Sequence, residues 1–183
     1  YAFTMFDALV MYHAPQLHWF LADNLVSSHF YAVSWFLTAF SRNLSINLLY
    51  ALWDILIVRG ADVDLFFFSL ALVLHHAPTI HHTPNAELPQ FMSHLAPTST
   101  QQVFDLYLLG AELKATTPPS FVELIGKSWR LEPVDAQGRG LAGRQGKQTA
   151  PMTVTSAELA PRGGMRYVFV DCRAEEEVAA GRG

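Results

Sequence analysis

In the stretch from Phe30 to Phe40, FYAVSWFLTAF, nine of eleven residues are apolar and five are aromatic. The few hydroxyls decide what such a stretch can be. Ser34, Thr38 and Ser41 follow one another at i, i+4 and i+7, which is one narrow stripe of a 3.6-residue helix. A half-buried strand would alternate polar and apolar residues with period 2, and this stretch does not. The spacing predicts a helix over about 30–42, buried on most of its circumference. Helices of that kind sit inside larger helical domains.

The same signature follows twice more. From Asn47 to Val58, NLLYALWDILIV, the polar residues are Asn47 and Asp54, seven apart on one face, so a second inner helix is expected. Ser45 is its candidate N-cap and Gly60 its candidate stop. A third helix is expected to start at Asp62, which can cap it, and to run through DLFFFSLALVL with Asp64 at the positive end of its dipole. Membrane spans are the rival for a chain that is 51% apolar. Length argues against them, because Leu65 to Leu74 is short and broken by Ser69, whereas a span needs about 20 apolar residues. No basic stretch precedes Tyr1, so no signal peptide is expected. The chain does not begin with Met and reads as a piece of a longer protein.

Further helices are expected over about 3–12, 16–24, 63–77, 87–95, 100–114 and 119–127, with a loop carrying HHAPTIHHTPN. Beyond them the composition shifts. Ten of the twelve Lys and Arg lie from Lys114 onward, and six of the eleven Gly fall between Gly138 and Gly164. This divides the chain into a helical region at 1–130, a Gly/Pro-rich linker at 131–165, and a final piece at 166–183. There RYVFV, a β-branched and aromatic strand, runs into DCRAEEEVAAGRG as the first β-α unit of an α/β domain. The expected class is mostly α, followed by that single unit. A net charge of −4 without a basic cluster argues against a nucleic-acid surface. One Cys excludes an intrachain disulfide framework and points to a reducing compartment.

Candidate chemistry is sparse. His75, His76, His81 and His82 form two pairs, but adjacent residues on a helix point about 100° apart and seldom share one metal. Solvated helix ends suit them, since His favours the negative end of the dipole. His13, His18 and His29 are dispersed, with no nucleophile placed beside them by a local motif. Trp35 and Trp53 are expected as core anchors. Asp54, polar on a greasy helix, is expected to be buried and to tie its helix to a neighbour. Cys172 lacks the Gly-rich cradle that a reactive thiolate needs. No P-loop, GxGxxG or HExxH occurs, and no cofactor or metal is expected.

Taken together, HAPQLHWFL, FYAVSWFLTAFSRNLSINLLYALWDILIVRG and DLFFFSLALVL resemble the C-terminal half of a TBC domain, the helical Rab GTPase-activating fold. That half has a His-x-Pro-x-Leu segment, then Tyr-x-x-x-Trp-Phe-Leu-x-x-Phe, then Leu-Trp-Asp. Tyr31, Trp35, Phe36, Leu37, Phe40, Leu52, Trp53 and Asp54 match it in turn. VFVDCRAEEEVAAGRG resembles the opening of a rhodanese-like domain through Asp171, Arg173 and Gly181, with Arg182 where that family commonly has His. Few families join the two domains. The chain is most similar to those with a Thr-Pro-x-Ser-Phe-like sequence between them, here Thr117 to Phe121.

The resemblance implies a dual-finger mechanism for active members, in which an Arg neutralises charge on the γ-phosphate and a Gln positions water. It puts both fingers before Tyr1, so no catalytic residue is expected in this chain. For the TBC-plus-rhodanese proteins it implies a non-catalytic adaptor, peripheral at the trans-Golgi network. Such an adaptor captures endosome-derived vesicles through golgin tethers and, through absent regions, the WASH complex. The alternative is a Rab GTPase-activating protein, with a Rab GTPase as partner.

Overall fold

The computed structural model describes residues 2–59 and 63–129, and every regular element among them is a helix. In chain order these are α1 (Ala2–His13), α2 (Pro15–Asp23), α3 (Ser28–Tyr31), α4 (Val33–Thr38), α5 (Ile46–Arg59), α6 (Asp64–His75), α7 (Ala77–His82), α8 (Leu88–Ser93), α9 (Thr100–Thr116) and α10 (Pro119–Trp129). The linker at 131–165 and the β-α unit at 166–183, with Asp171, Cys172 and Arg173, lie outside the described residues. So do Gly60 and Asp62.

Local chemistry sets the helix starts. Pro occupies the first or second position of α2, α7 and α8, where a missing N–H costs no helical bond. The Ser27 hydroxyl accepts from the His29 N–H at the head of α3. At α9 the exchange is reciprocal: Ser99 Oγ accepts from the Gln102 N–H at 3.1 Å, while Gln102 Oε1 accepts from the Thr98 N–H at 2.7 Å. This is a capping box displaced by one residue.

α6 is the axis of the body. All ten residues from Asp64 to Val73 are buried, so this helix has no solvent face. The two polar side chains of that buried run are both satisfied. Ser69 Oγ donates to Leu65 O at 2.8 Å, and Asp64 accepts from Lys114 Nζ at 2.6 Å. α9 lies against α6 at a very close approach, for a Cβ added to Gly110 would stand 2.9 Å from Phe67 O. α1 packs on α6 and carries α2, α3 and α10, while α5 packs on α9 and α3 on α8.

Three expectations change. The helix over 30–42 is instead α3 and α4, joined at Ala32 and ended at Ala39 and Phe40. The ladder persists across Ala32, whose N–H donates to Ser28 O and whose carbonyl accepts from Phe36 N. The stop is a pair of left-handed residues, Ala39 at φ 44° and Phe40 at φ 65°. That conformation costs about 1–2 kcal/mol per L-residue. The two residues together cost about 2–4 kcal/mol, and full burial of Phe40, about 1.5–3 kcal/mol, offsets most of it.

Second, α5 is not an inner helix. Leu49 and Leu52 are buried, while Ile46, Tyr50, Ile57 and Val58 are exposed. Polar residues confined to one stripe describe a helix with little polar surface, and that does not require a neighbour on every other side. Third, the segment expected as a His-bearing loop folds as the short helix α7, since Pro78 sits where a helix tolerates it.

Candidate functional site

The motif residues of α3 and α4 assemble into one aromatic frame. Tyr31, Trp35, Phe36 and Phe40 are all buried. The Trp35 and Phe40 rings stack at 5.4 Å and 13°, and the Tyr31 ring meets Trp35 edge-on at 5.2 Å. Phe36 stacks on Phe66 of α6 at 4.6 Å and meets Phe6 of α1 edge-on at 5.2 Å. Such offset and edge-on pairs each add about 0.5–1.5 kcal/mol beyond their buried area. The frame therefore fixes α3 and α4 rigidly to α1 and α6.

One polar atom within it is left over. Trp35 Nε1 is buried without a hydrogen-bond partner among the described residues. Burial, with the charge of Asp7 adding to it, pushes the Tyr31 hydroxyl well above the usual phenol range, so Tyr31 stays neutral.

The frame also presents residues outward. Phe30 and Leu37, each beside a buried motif residue, are 73% and 74% exposed. Leu25, in a left-handed turn at φ 58°, and Trp19 on α2 are exposed as well. Near Leu25 a cleft of about 310 Å³ opens between α1, α2 and the turn into α3, with Asp7, His18 and Ser27 in its walls. With Leu21, Ala22, Leu25 and Val26 also in its walls the cleft is mainly apolar, which suits protein recognition better than catalysis.

The α5 motif residues differ from their expectation. Trp53 is half-buried and spans two elements, its Nε1 donating to Ala39 O at 2.9 Å. Asp54 is exposed and ties nothing: it makes no ion pair or hydrogen bond among the described residues. The tie expected of Asp54 is made by Trp53, one position earlier and therefore turned about 100° toward the body.

The buried, paired carboxylate is Asp64, which also accepts from Tyr107 Oη at 3.4 Å. Its partner Lys114 lies fifty residues away, beyond the reach of any local pattern.

Among the histidines, His82 Nδ1 lies 2.6 Å from Pro78 O, and His81 packs its ring on Phe20 at 4.6 Å. No group of three or more His, Cys, Asp or Glu able to hold a metal occurs among the described residues. No helix among them is long and apolar enough to cross a membrane.

Residues 1–81 match the model of the Rab-GTPase-TBC domain. The chain is also similar to the GTPase-activating protein GYP5 of Saccharomyces cerevisiae, 31% identical over 105 residues that make up 57% of this chain. It spans 11% of the length of that relative. The match covers the whole aromatic frame, together with α5, α6 and most of α7.

Proposed function

We propose that the helical body is the C-terminal part of a Rab-directed TBC module, and that it meets a Rab GTPase through the rim formed by Leu25, Phe30 and Leu37. What supports this reading is the coincidence of two things. The residues that match the Rab-GTPase-TBC model bury their motif aromatics inward, and the same helices hold bulky apolar side chains in solvent. A rigid frame with an apolar rim loses little side-chain freedom on docking.

Similarity to a GTPase-activating protein favours acceleration of GTP hydrolysis by the full-length protein. The chemistry would then follow the dual-finger scheme, with this chain supplying the docking surface. The described residues include no Arg inside the frame. The adaptor reading, with golgin tethers and the WASH complex at the trans-Golgi network, rests on the order TBC, linker, rhodanese. Its carriers there are Asp171 and Arg173.

Single-turnover GTP hydrolysis by a Rab panel, with and without the full-length protein, separates the two. Acceleration that weakens when Phe30 and Leu37 are both changed to Ala supports a Rab-directed docking face. Absence of both binding and acceleration on every Rab, alongside capture of a golgin tail, would leave the adaptor.

A further inference from the structure

α5 and α9 leave a groove of about 440 Å³ between them. Its walls are apolar: Ile55 and Val58 from α5 face Phe104 and Leu108 from α9. Val58 is 84% exposed and the neighbouring Ile57 is 74% exposed. Isolated exposed apolar residues are ordinary, but a contiguous group on two adjoining helices marks an interaction surface.

The rim decides what that surface fits. Two charged side chains line it, Asp54 and Arg59, both on α5. They are five residues apart and do not pair with each other. The ion pairs among the described residues are Asp64 with Lys114 and Glu123 with Lys127. A partner with a basic flank would answer Asp54 and leave Arg59 unanswered, and an acidic flank would do the reverse.

A second copy of this chain answers both. If two α5 helices cross antiparallel about a two-fold axis between Leu56 and Ile57, Asp54 of each copy faces Arg59 of the other. The same register puts Val58 of each against Ile55 of its mate. Self-complementarity of this kind is what an isologous interface requires, because every contact is made twice.

We propose that the α5–α9 groove is a homodimer interface, closed by antiparallel α5 helices with two reciprocal Asp54–Arg59 pairs. The groove shares no residue with the Leu25, Phe30 and Leu37 rim, so one dimer would carry two copies of that rim.

Sedimentation velocity on the full chain over a wide concentration range tests it, with D54R and R59D as single variants. The expected result is a concentration-dependent wild-type dimer, with dissociation constants raised at least about tenfold in each single variant. An equimolar mixture of D54R and R59D should regain the dimer, because each Arg then meets an Asp of the other chain. That mixing arm also shows that both variants are folded. A wild-type monomer at every concentration would assign the face to a different protein and overturn the proposal. Dimers indifferent to both reversals, or a mixture that stays monomeric, would overturn it equally.

Discussion

His13 Nε2 donates to Thr117 Oγ1 across 2.8 Å, joining the end of α1 to the junction of α9 and α10. The direction of this bond follows from the hydroxyl. Thr117 Oγ1 gives its one proton to Leu113 O, also at 2.8 Å, and must therefore accept from the ring. Residues 104 positions apart are closed by a two-bond relay, and Thr117 is almost fully buried.

Replacing Thr117 by Val keeps the shape and removes both bonds, leaving the His13 N–H unanswered and Leu113 O with the Thr116 hydroxyl as its remaining side-chain donor. A loss of about 1–3 kcal/mol is expected in urea denaturation. Thr117→Ser keeps the hydroxyl and should lose under about 1 kcal/mol. Equal losses in the two variants would show that the methyl, not the relay, matters.

Two tryptophans of the same motif set should behave differently. Trp35→Ala empties a fully buried site and should cost about 3–5 kcal/mol. Trp53 is half-buried and holds Ala39 O by one hydrogen bond, so Trp53→Ala should cost about 1–2 kcal/mol. Guanidinium unfolding of both variants orders them. A larger loss at Trp53 would mean that the Ala39–Phe40 turn depends on that bond more than on Phe40 burial.

Gly110→Ala sets propensity against packing. In an isolated helix the change gains about 1 kcal/mol. Here the new Cβ would meet Phe67 O at 2.9 Å and Phe67 C at 3.0 Å, which are backbone atoms that no rotamer can move aside. Overpacking of this kind costs about 1–3 kcal/mol, so thermal melting should report a net loss. A gain would show that α6 and α9 slide apart freely.

Acid should weaken the fold before carboxylates titrate. Burial holds His13 below the usual imidazole value, and burial with the neighbouring charge of His75 does the same to His76. Both groups therefore bind fewer protons folded than unfolded. Well above the unfolded value of about 6.5 neither state is protonated and stability is flat. As pH falls below that value the unfolded chain takes up protons first, and stability declines until the folded-state values are passed. Urea midpoints measured from pH 7.5 to pH 5 should fall, and a His13→Gln, His76→Gln double variant should flatten the slope.

The helical class was legible because the polar residues of 30–42 and of 47–58 recur at helical spacing, and the start at Pro119 because Pro suits a first helical turn. Side-chain burial was legible where a helix is apolar on all sides, as from Leu65 to Val73. It was not legible on α5, whose residues are equally apolar while Ile57 and Val58 stand in solvent. Composition records what a helix tolerates, and a missing neighbour leaves no mark in it. The break at Ala39 was hidden for a related reason: neither Ala nor Phe prefers positive φ, and the contacts that hold the turn, Phe40 burial and the Trp53 bond to Ala39 O, are tertiary. The pairing of Asp64 with Lys114 and the relay from His13 to Thr117 are long-range, so no local pattern could contain them.

The burial of α6 has a kinetic meaning. Amide hydrogens at its centre, around Phe68 to Leu72, have no solvent face through which a local fluctuation could expose them. They exchange with deuterium when the whole body opens, so their rates record its global opening free energy. In the same experiment the outer turns of α5 near Val58 would exchange by local fraying. A single deuterium time course therefore holds two clocks, one for the body and one for its open flank.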